Sequence, residues 1–346
     1  MLTANKHSTS VRAATDTLID LLYAPPRWLP TSHAQTIVPA LFARRPAVDY
    51  RRERWSTPDG DFIDLDWLAH PADDAAAPQP DAPLFVLFHG LEGSSNSHYA
   101  RTLMVMAREA GWHGVVPHFR SCSGPLNLAP RFYHLADSNE VDWVLRRLRA
   151  MHQGPIVAVG VSLGGNVLLR WLGERGTDAA FVAAAAAIST PLDVHAGGRA
   201  LAQGFALVYT MSFLKTLKKK ALRKLEQYPG LFDREAMLAS RTMYDYDNVI
   251  TAPLHGFRNT DDYWTQATTR PLLPDIVVPT LVLNARNDPF LPYTALPTHA
   301  EVSAAIELDQ PEAGGHVGFM TGPFPGRMDW LPRRVLSFLE PRAKNG

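Results

Sequence analysis

Residues 160–164 read Gly-Val-Ser-Leu-Gly, and their flanks decide what they can become. Ahead of them runs Pro155-Ile156-Val157-Ala158-Val159, an apolar stretch of strand length. Behind them Asn166-Val167-Leu168-Leu169-Arg170-Trp171-Leu172 has apolar residues at helical spacing. Strand, G-x-S-x-G, helix is the setting in which a serine sits on a sharp turn with its hydroxyl projecting clear. The glycines answer to the tightness of that turn. Side chains at 160 or 164 would meet the adjoining strand and helix, and the serine must accept a strained backbone. The pattern alone is common, and a glycine-flanked serine also suits an ordinary strand–helix turn. A serine hydroxyl is a poor nucleophile at neutral pH, so the chemical reading needs a histidine, a carboxylate and oxyanion donors elsewhere.

The surrounding chain alternates strand and helix. Leu84-Phe85-Val86-Leu87-Phe88 is a solid apolar strand, followed by a helix through Tyr99 to Ala110, a strand starting Gly114-Val115-Val116-Pro117, and a helix from Asn139 to Met151. The alanine-rich stretch Ala179 to Ile188 follows the Gly-Val-Ser-Leu-Gly turn and its helix, and reads as a buried strand. Solid apolar runs separated by helices indicate a parallel sheet covered on both faces. Before them, Tyr50 to Trp55 and Phe62 to Leu68 alternate apolar and polar around Pro58-Asp59-Gly60-Asp61, a hairpin with turn chemistry at its tip. Asp73 to Pro83 is a proline-rich surface loop.

The alternation stops between Pro191 and about Pro279, where the chain is helical in character. It resumes with Thr280-Leu281-Val282-Leu283-Asn284, with Ala304 to Leu308, and with a last amphipathic helix through Val335 to Leu339. The expected α/β fold is a mostly parallel eight-stranded sheet with helices on both faces. Residues 1–47 form an N-terminal extension with helices packing on the core, and residues 48–190 and 279–346 form that core. Residues 191–278 form a helical lid over the C-terminal edge of the sheet, the edge where open α/β sheets bind ligands. About the first dozen residues are expected to be disordered.

Composition narrows the partners. Lys plus Arg equals Asp plus Glu at 34 each, so there is no global pull toward nucleic acid or anionic membrane. The single cysteine, Cys122, excludes an intramolecular disulfide and a multi-cysteine metal site, and makes cytoplasmic residence the default. No stretch reaches the roughly 18 apolar residues of a membrane span. The first residues, Met1 to Asp16, lack a basic start followed by an apolar run, which argues against a signal peptide. No H-E-x-x-H occurs, no G-x-G-x-x-G follows a strand, and no Gly-Lys-Ser/Thr closes the glycine loop at residues 90–93, so neither metal nor organic cofactor is expected.

Ser162 finds its partners downstream. Asp288, in Ala285-Arg286-Asn287-Asp288-Pro289, follows a strand and faces the same sheet edge; an Asx-turn role is the plainer alternative. His316, in Ala313-Gly314-Gly315-His316-Val317-Gly318-Phe319, lies on a glycine loop between the last strand and the last helix. The chain has 13 histidines, but serine, acid, histidine is the chain order of α/β-hydrolases; His299 lies too early, inside an expected helix, and apart from it no other histidine follows the acid. The oxyanion donors are expected to be the backbone N–H groups of Leu163, the residue after the nucleophile, and of Leu91, in His89-Gly90-Leu91-Glu92-Gly93-Ser94. Gly90 and Gly93 would let that backbone turn its amides toward substrate. Glu92 has no chemical role beyond shaping the loop, His89 points into the scaffold, and Cys122 is a packed thiol; Gly90, Glu92 and Cys122 are the candidates for lining the substrate site.

Taken together, several segments closely resemble the YheT-like α/β-hydrolases, bacterial relatives of the abhydrolase-domain esterases. They are Trp28-Leu29-Pro30 with His33-Ala34-Gln35-Thr36, Phe88-His89-Gly90-Leu91-Glu92-Gly93-Ser94, His118-Phe119-Arg120-Ser121-Cys122-Ser123-Gly124, and Gly160 to Asn166. Asn284 to Pro289 and Gly314-Gly315-His316 match the acid and histidine segments of that family. The resemblance implies a carboxylesterase-type serine hydrolase acting on a small-molecule ester or acyl substrate through an acyl-enzyme. An acyltransferase, a thioesterase, or a non-catalytic scaffold that binds a lipophilic ligand are the rivals. Ser121 departs from the family's usual glycine. An H-x-x-x-x-D acyltransferase signature is absent, since Asn139 stands five residues after His134.

One lid feature has two readings. Phe205 to Leu214 is apolar and precedes Lys215, Lys218, Lys219, Lys220, Arg223 and Lys224. It is either an acyl tunnel with a basic rim, offering peripheral membrane contact, or a buried helix running into a solvated one. The second is the plainer expectation. Nothing in the sequence specifies the oligomeric state.

Overall fold

The structure, a computed structural model, describes residues 22–69 and 77–344. The expectation of disorder in the first dozen residues lies outside the described residues, as does the first part of the 73–83 loop.

Eight strands form one sheet: β1 (Tyr50–Ser56), β2 (Phe62–Leu68), β3 (Leu84–Phe88), β4 (His113–Pro117), β5 (Ile156–Val161), β6 (Val182–Ile188), β7 (Thr280–Leu283) and β8 (Ile306–Asp309). Their order is β1-β2-β4-β3-β5-β6-β7-β8. β2 pairs antiparallel with β1 and with β4, and every pairing from β4 to β8 is parallel. The mixed sheet is as the sequence implied.

The apolar runs are continuous because both faces of the sheet are covered. Alternate residues of β3 divide accordingly. Leu84, Val86 and Phe88 join a cluster with the helices Ser138–Met151 and Leu163–Arg175. Phe85 and Leu87 join the opposite cluster with the helices His98–Glu109 and Trp330–Ala343. β5 and β6 split the same way, with Ala158 and Ala185 on one side and Val159 and Ala186 on the other.

β2 pairs with β1 in the expected hairpin, but its polar positions do not face water. Asp64 and Asp66 are buried, and neither could stay so as a free charge. Each takes a two-pronged arginine: Arg54 on Asp64 at 2.7 and 2.9 Å, Arg52 on Asp66 at 2.7 and 2.8 Å. The Arg52 pair, with further hydrogen bonds from His118 and Ser95, holds the Asp66 carboxyl well below its usual range despite burial. Here alternation marks paired charge instead of water.

The chain leaves β3 toward β4 on one side and β5 toward β6 on the other. The C-terminal ends of β3 and β5 therefore form the topological switch point of the sheet, where a crevice opens. Between β6 and β7 comes the helical insertion, with Val194–Leu201, Leu207–Gln227, Arg234–Ala239 and Thr260–Ala267 as its main helices. It has its own apolar contacts, among them Leu214, Ala221, Met237, Tyr246 and Ile250 with Phe132 of the core.

The long helix Leu207–Gln227 departs from the plainer expectation in both halves. In the apolar half Thr210 and Leu214 are buried but Met211 is 68% and Val208 50% accessible; in the basic half Lys215, Lys219 and Arg223 are exposed but Lys224 is fully buried. Lys224 Nζ donates to the carbonyls of Asn127 and Ala129 and to Asn127 Oδ1, at 2.7 to 3.0 Å. Burial lowers its pKa to about 8. Lys218 likewise donates to the carbonyls of Leu238 and Ser240. Both lysines cap loop carbonyls.

Candidate active site

Ser162 follows β5 directly, with φ +53° and ψ −116°, a backbone that side-chain-bearing residues rarely adopt. A Cβ on Gly160 would overlap the carbonyl of Gly164, and one on Gly164 would overlap the carbonyl of Phe88. Both glycines are thus dictated by approach of one backbone to another. The turn remains tied to the sheet, since Ser162 N–H donates to Ile188 O at 2.8 Å.

Three side chains from separate loops meet here. His316 Nε2 lies 3.0 Å from Ser162 Oγ, and His316 Nδ1 lies 2.8 Å from Asp288 Oδ2. A carboxylate can only accept, so Nδ1 carries the proton and Nε2 presents its lone pair to the serine hydroxyl. Asp288 is buried, and its Oδ1 accepts from Phe290 N–H at 2.8 Å. All three side chains reach a cavity of about 100 Å³ whose other walls are mostly apolar, including Val194, Leu201, Phe213, Trp264 and Leu291. A larger groove of about 850 Å³, between the helices His98–Glu109 and Trp330–Ala343, contains none of the three.

Leu91 and Leu163 also line the small cavity. Leu163 opens the helix Leu163–Arg175, whose first N–H groups have no intrahelical acceptor and whose dipole favours negative charge. Leu91 sits between two anchored amides: Gly90 N–H donates to Tyr99 Oη and Glu92 N–H to Tyr133 Oη, both at 2.8 Å. Gly90 lies where a Cβ would come 3.3 Å from the Ser162 Cβ. His89 is buried in the scaffold; Phe119 N–H donates to its Nε2, so its Nδ1–H donates to Gly90 O. Burial lowers its pKa to about 3, which keeps it neutral.

Glu92 does more than shape its loop. Its carboxylate accepts from Lys220 Nζ at 2.7 Å and Tyr133 Oη at 2.9 Å, joining the insertion to the loop after β3. Lys220 also approaches Cys122 Sγ at 3.6 Å. Burial raises the Cys122 thiol to about 11, so it stays protonated at neutral pH. Cys122 packs against the core and does not line the cavity around Ser162. Ser121, where the family's glycine was expected, has φ +67°; its Oγ donates to Asn127 Oδ1 at 2.7 Å and accepts from Asn127 N–H. Those two bonds hold a serine in a conformation glycine adopts freely.

Sequence reasoning missed Asp247. It lies in a π-turn of the insertion (Asp247–Thr251), buried, and lines both the cavity at Ser162 and an adjoining one of about 80 Å³ beside Glu92 and Lys220. Thr251 Oγ1 and Trp264 Nε1 donate to it at 2.6 and 2.8 Å, yet burial still raises its pKa to about 6. No motif could announce a carboxylate that becomes special only through packing.

Residues 83–323 match the family of the alpha/beta hydrolase fold. YheT of Escherichia coli (strain K12), whose given name proposes an esterase, is 39% identical over 320 residues, covering 92% of each chain. The chain belongs to the YheT-like α/β-hydrolases. Among other relatives of this α/β-hydrolase, the phospholipase ABHD3 of Mus musculus is 28% identical over 327 residues, 94% of this chain and 79% of that one. Two solved structures share the fold. The Pyrococcus furiosus esterase Pf2001 has a TM-score of 0.53 at 15% identity, over 85% of this chain and 93% of its own. The esterase EaEST of Exiguobacterium antarcticum has a TM-score of 0.52 at 16% identity, over 83% and 98%. Among the described residues, no helix of this α/β-hydrolase is long and apolar enough to cross a membrane.

Proposed function

We propose that this α/β-hydrolase is a serine esterase that cleaves small carboxylic esters through an acyl-enzyme. The observation that carries the reading is the unbroken relay from Asp288 to His316 to Ser162, at 2.8 and 3.0 Å. His316 Nε2 takes the proton from Ser162 Oγ as the oxygen attacks the ester carbonyl. Asp288 fixes the tautomer and stabilises the imidazolium that forms. The amides of Leu91 and Leu163 receive the developing oxyanion, each worth about 3 kcal/mol of barrier. His316 then gives its proton to the departing alkoxide. In the second half-reaction a water loses its proton to His316 and attacks the acyl-serine, and the acid leaves as Ser162 regains its hydrogen.

Cys122 is no rival nucleophile, because a thiol held near 11 offers little thiolate at neutral pH. Residues 191–278 act as the lid: Phe213 and Trp264 from that segment help wall the cavity at Ser162. The substrate is a small-molecule ester, and the cytoplasm is the setting that a single-cysteine chain suits. The relatives' names, an esterase and a phospholipase, agree with ester chemistry. A panel of p-nitrophenyl esters of graded acyl length tests the reading. Turnover should be measurable for at least one length and fall by 10³-fold or more in Ser162→Ala; an inactive wild type, or an active Ser162→Ala, contradicts it.

A further inference from the structure

His33-Ala34-Gln35-Thr36 lies some 280 residues from His316 in the chain, yet the fold brings the two together. Gln35 and Thr36, on the helix Ser32–Phe42, are both buried. Gln35 Oε1 accepts from Gly314 N–H at 2.9 Å and from Asn287 Nδ2 at 3.0 Å, while its Nε2 donates to Leu29 O at 2.9 Å. Asn287, next to Asp288, accepts from Gly315 N–H at 3.0 Å. Thr36 Oγ1 accepts from the backbone N–H of His316 at 2.9 Å and donates to Ser32 O at 2.8 Å. Three successive amides of the histidine loop therefore end on side chains from outside it.

The loop needs outside support. Gly314, Gly315, Val317 and Phe319 have φ of +149°, +62°, +57° and +43°. Two of these carry side chains, and such a backbone is strained, tolerated only where the surroundings over-determine it. The fit is close, since a Cβ on Gly315 would come 2.7 Å from Thr36 Oγ1. Gln35 Oε1 also ties the acid's loop and the histidine's loop to one atom.

We infer that Gln35 and Thr36 are positioning residues for His316, holding its backbone, and through Asn287 that of Asp288, where the proton relay can form. The inference rests on the triad reading given under the proposed function. Displacing a general base by an ångström costs about a hundredfold in rate.

The test compares Thr36→Val, Thr36→Ser and Gln35→Met with wild type. It measures kcat and KM on a p-nitrophenyl ester, the rate of labelling by a fluorophosphonate, and thermal melting. Thr36→Val and Gln35→Met should lower kcat and the labelling rate by tenfold or more with KM within about threefold, and Thr36→Ser should stay within threefold of wild type. In a His316→Ala background, Thr36→Val should change the residual rate by less than twofold, because its target is gone. Folded Thr36→Val with wild-type kcat overturns the inference, as does equal loss with and without His316. If Thr36→Val does not fold, Gln35→Met decides by the same criteria. A wild type that takes no label overturns the triad reading and this inference together; a labelled wild type beside unaffected variants overturns this inference alone.

Discussion

The phenyl ring of Phe290 lies flat on the imidazole of His316, with centroids 3.9 Å apart and planes 12° apart. Phe290 comes from the acid's own loop and is backed by Tyr209 and Phe213 of the insertion, at 4.8 and 6.0 Å between centroids. The ring limits rotation of the imidazole and offers its π-face to the imidazolium that forms during proton transfer, worth about 0.5–2 kcal/mol. Phe290→Ala should therefore lower kcat about tenfold and also raise KM, since Phe290 lines the cavity, and Phe290→Tyr should lose less. Steady-state kinetics of the two variants checks this.

Gly164 and Gly60 should respond unequally to alanine. A methyl on Gly164 overlaps the Phe88 carbonyl, a backbone atom that cannot step aside, whereas Gly60, at φ +75°, has nothing within 4 Å. Gly164→Ala should cost about 3 kcal/mol or prevent folding, and Gly60→Ala about 1 kcal/mol from backbone strain alone. Urea denaturation of both measures the difference.

The long insertion helix yields a counter-intuitive pair. Met211→Ser removes an exposed methionine and should change stability by less than about 0.5 kcal/mol. Lys224→Met keeps the length of the side chain but leaves the buried carbonyl of Asn127 without its donor and takes one donor from that of Ala129, and should cost about 3 kcal/mol. Thermal melting of the two variants reads the contrast directly.

Asp247 sets a pH dependence. Its pKa is raised from the ordinary 3.8 to about 6 by burial. The folded state thus binds its proton more tightly than the unfolded chain does. That contribution to stability is complete below pH 3.8 and is lost as pH rises toward 6. Wild type minus Asp247→Asn stability should fall across pH 4 to 6 and be flat above about 7, as followed by urea unfolding at each pH.

The parts of this molecule legible in its sequence are those where local pattern and tertiary role coincide. β3 and β5 read as strands because both faces are buried, and Ser162 was marked by glycines that only backbone collision explains. Asp288 and His316 could be picked out by chain order, since strand ends on one sheet edge converge. Nothing in the sequence marks Asp64 and Asp66 as buried, because the arginines that neutralise them stand on the neighbouring strand. Lys224 and Met211 misled because hydropathy says nothing of which carbonyls a loop will leave uncapped. Glu92 was passed over because its partner, Lys220, lies 128 residues away. Gln35 and Thr36 were visible only as part of a resemblance, for their partners are backbone amides, which leave no mark on sequence.

Trapping the covalent intermediate tests the central claim most directly. The enzyme is mixed with a p-nitrophenyl ester, quenched in acid within milliseconds, and its mass and peptides are measured. The account predicts one acyl group per chain, on the peptide carrying Ser162, absent from Ser162→Ala and slow to form in His316→Ala. Hydrolysis with no acyl adduct at any quench time, or an adduct on another residue that persists in Ser162→Ala, would contradict it.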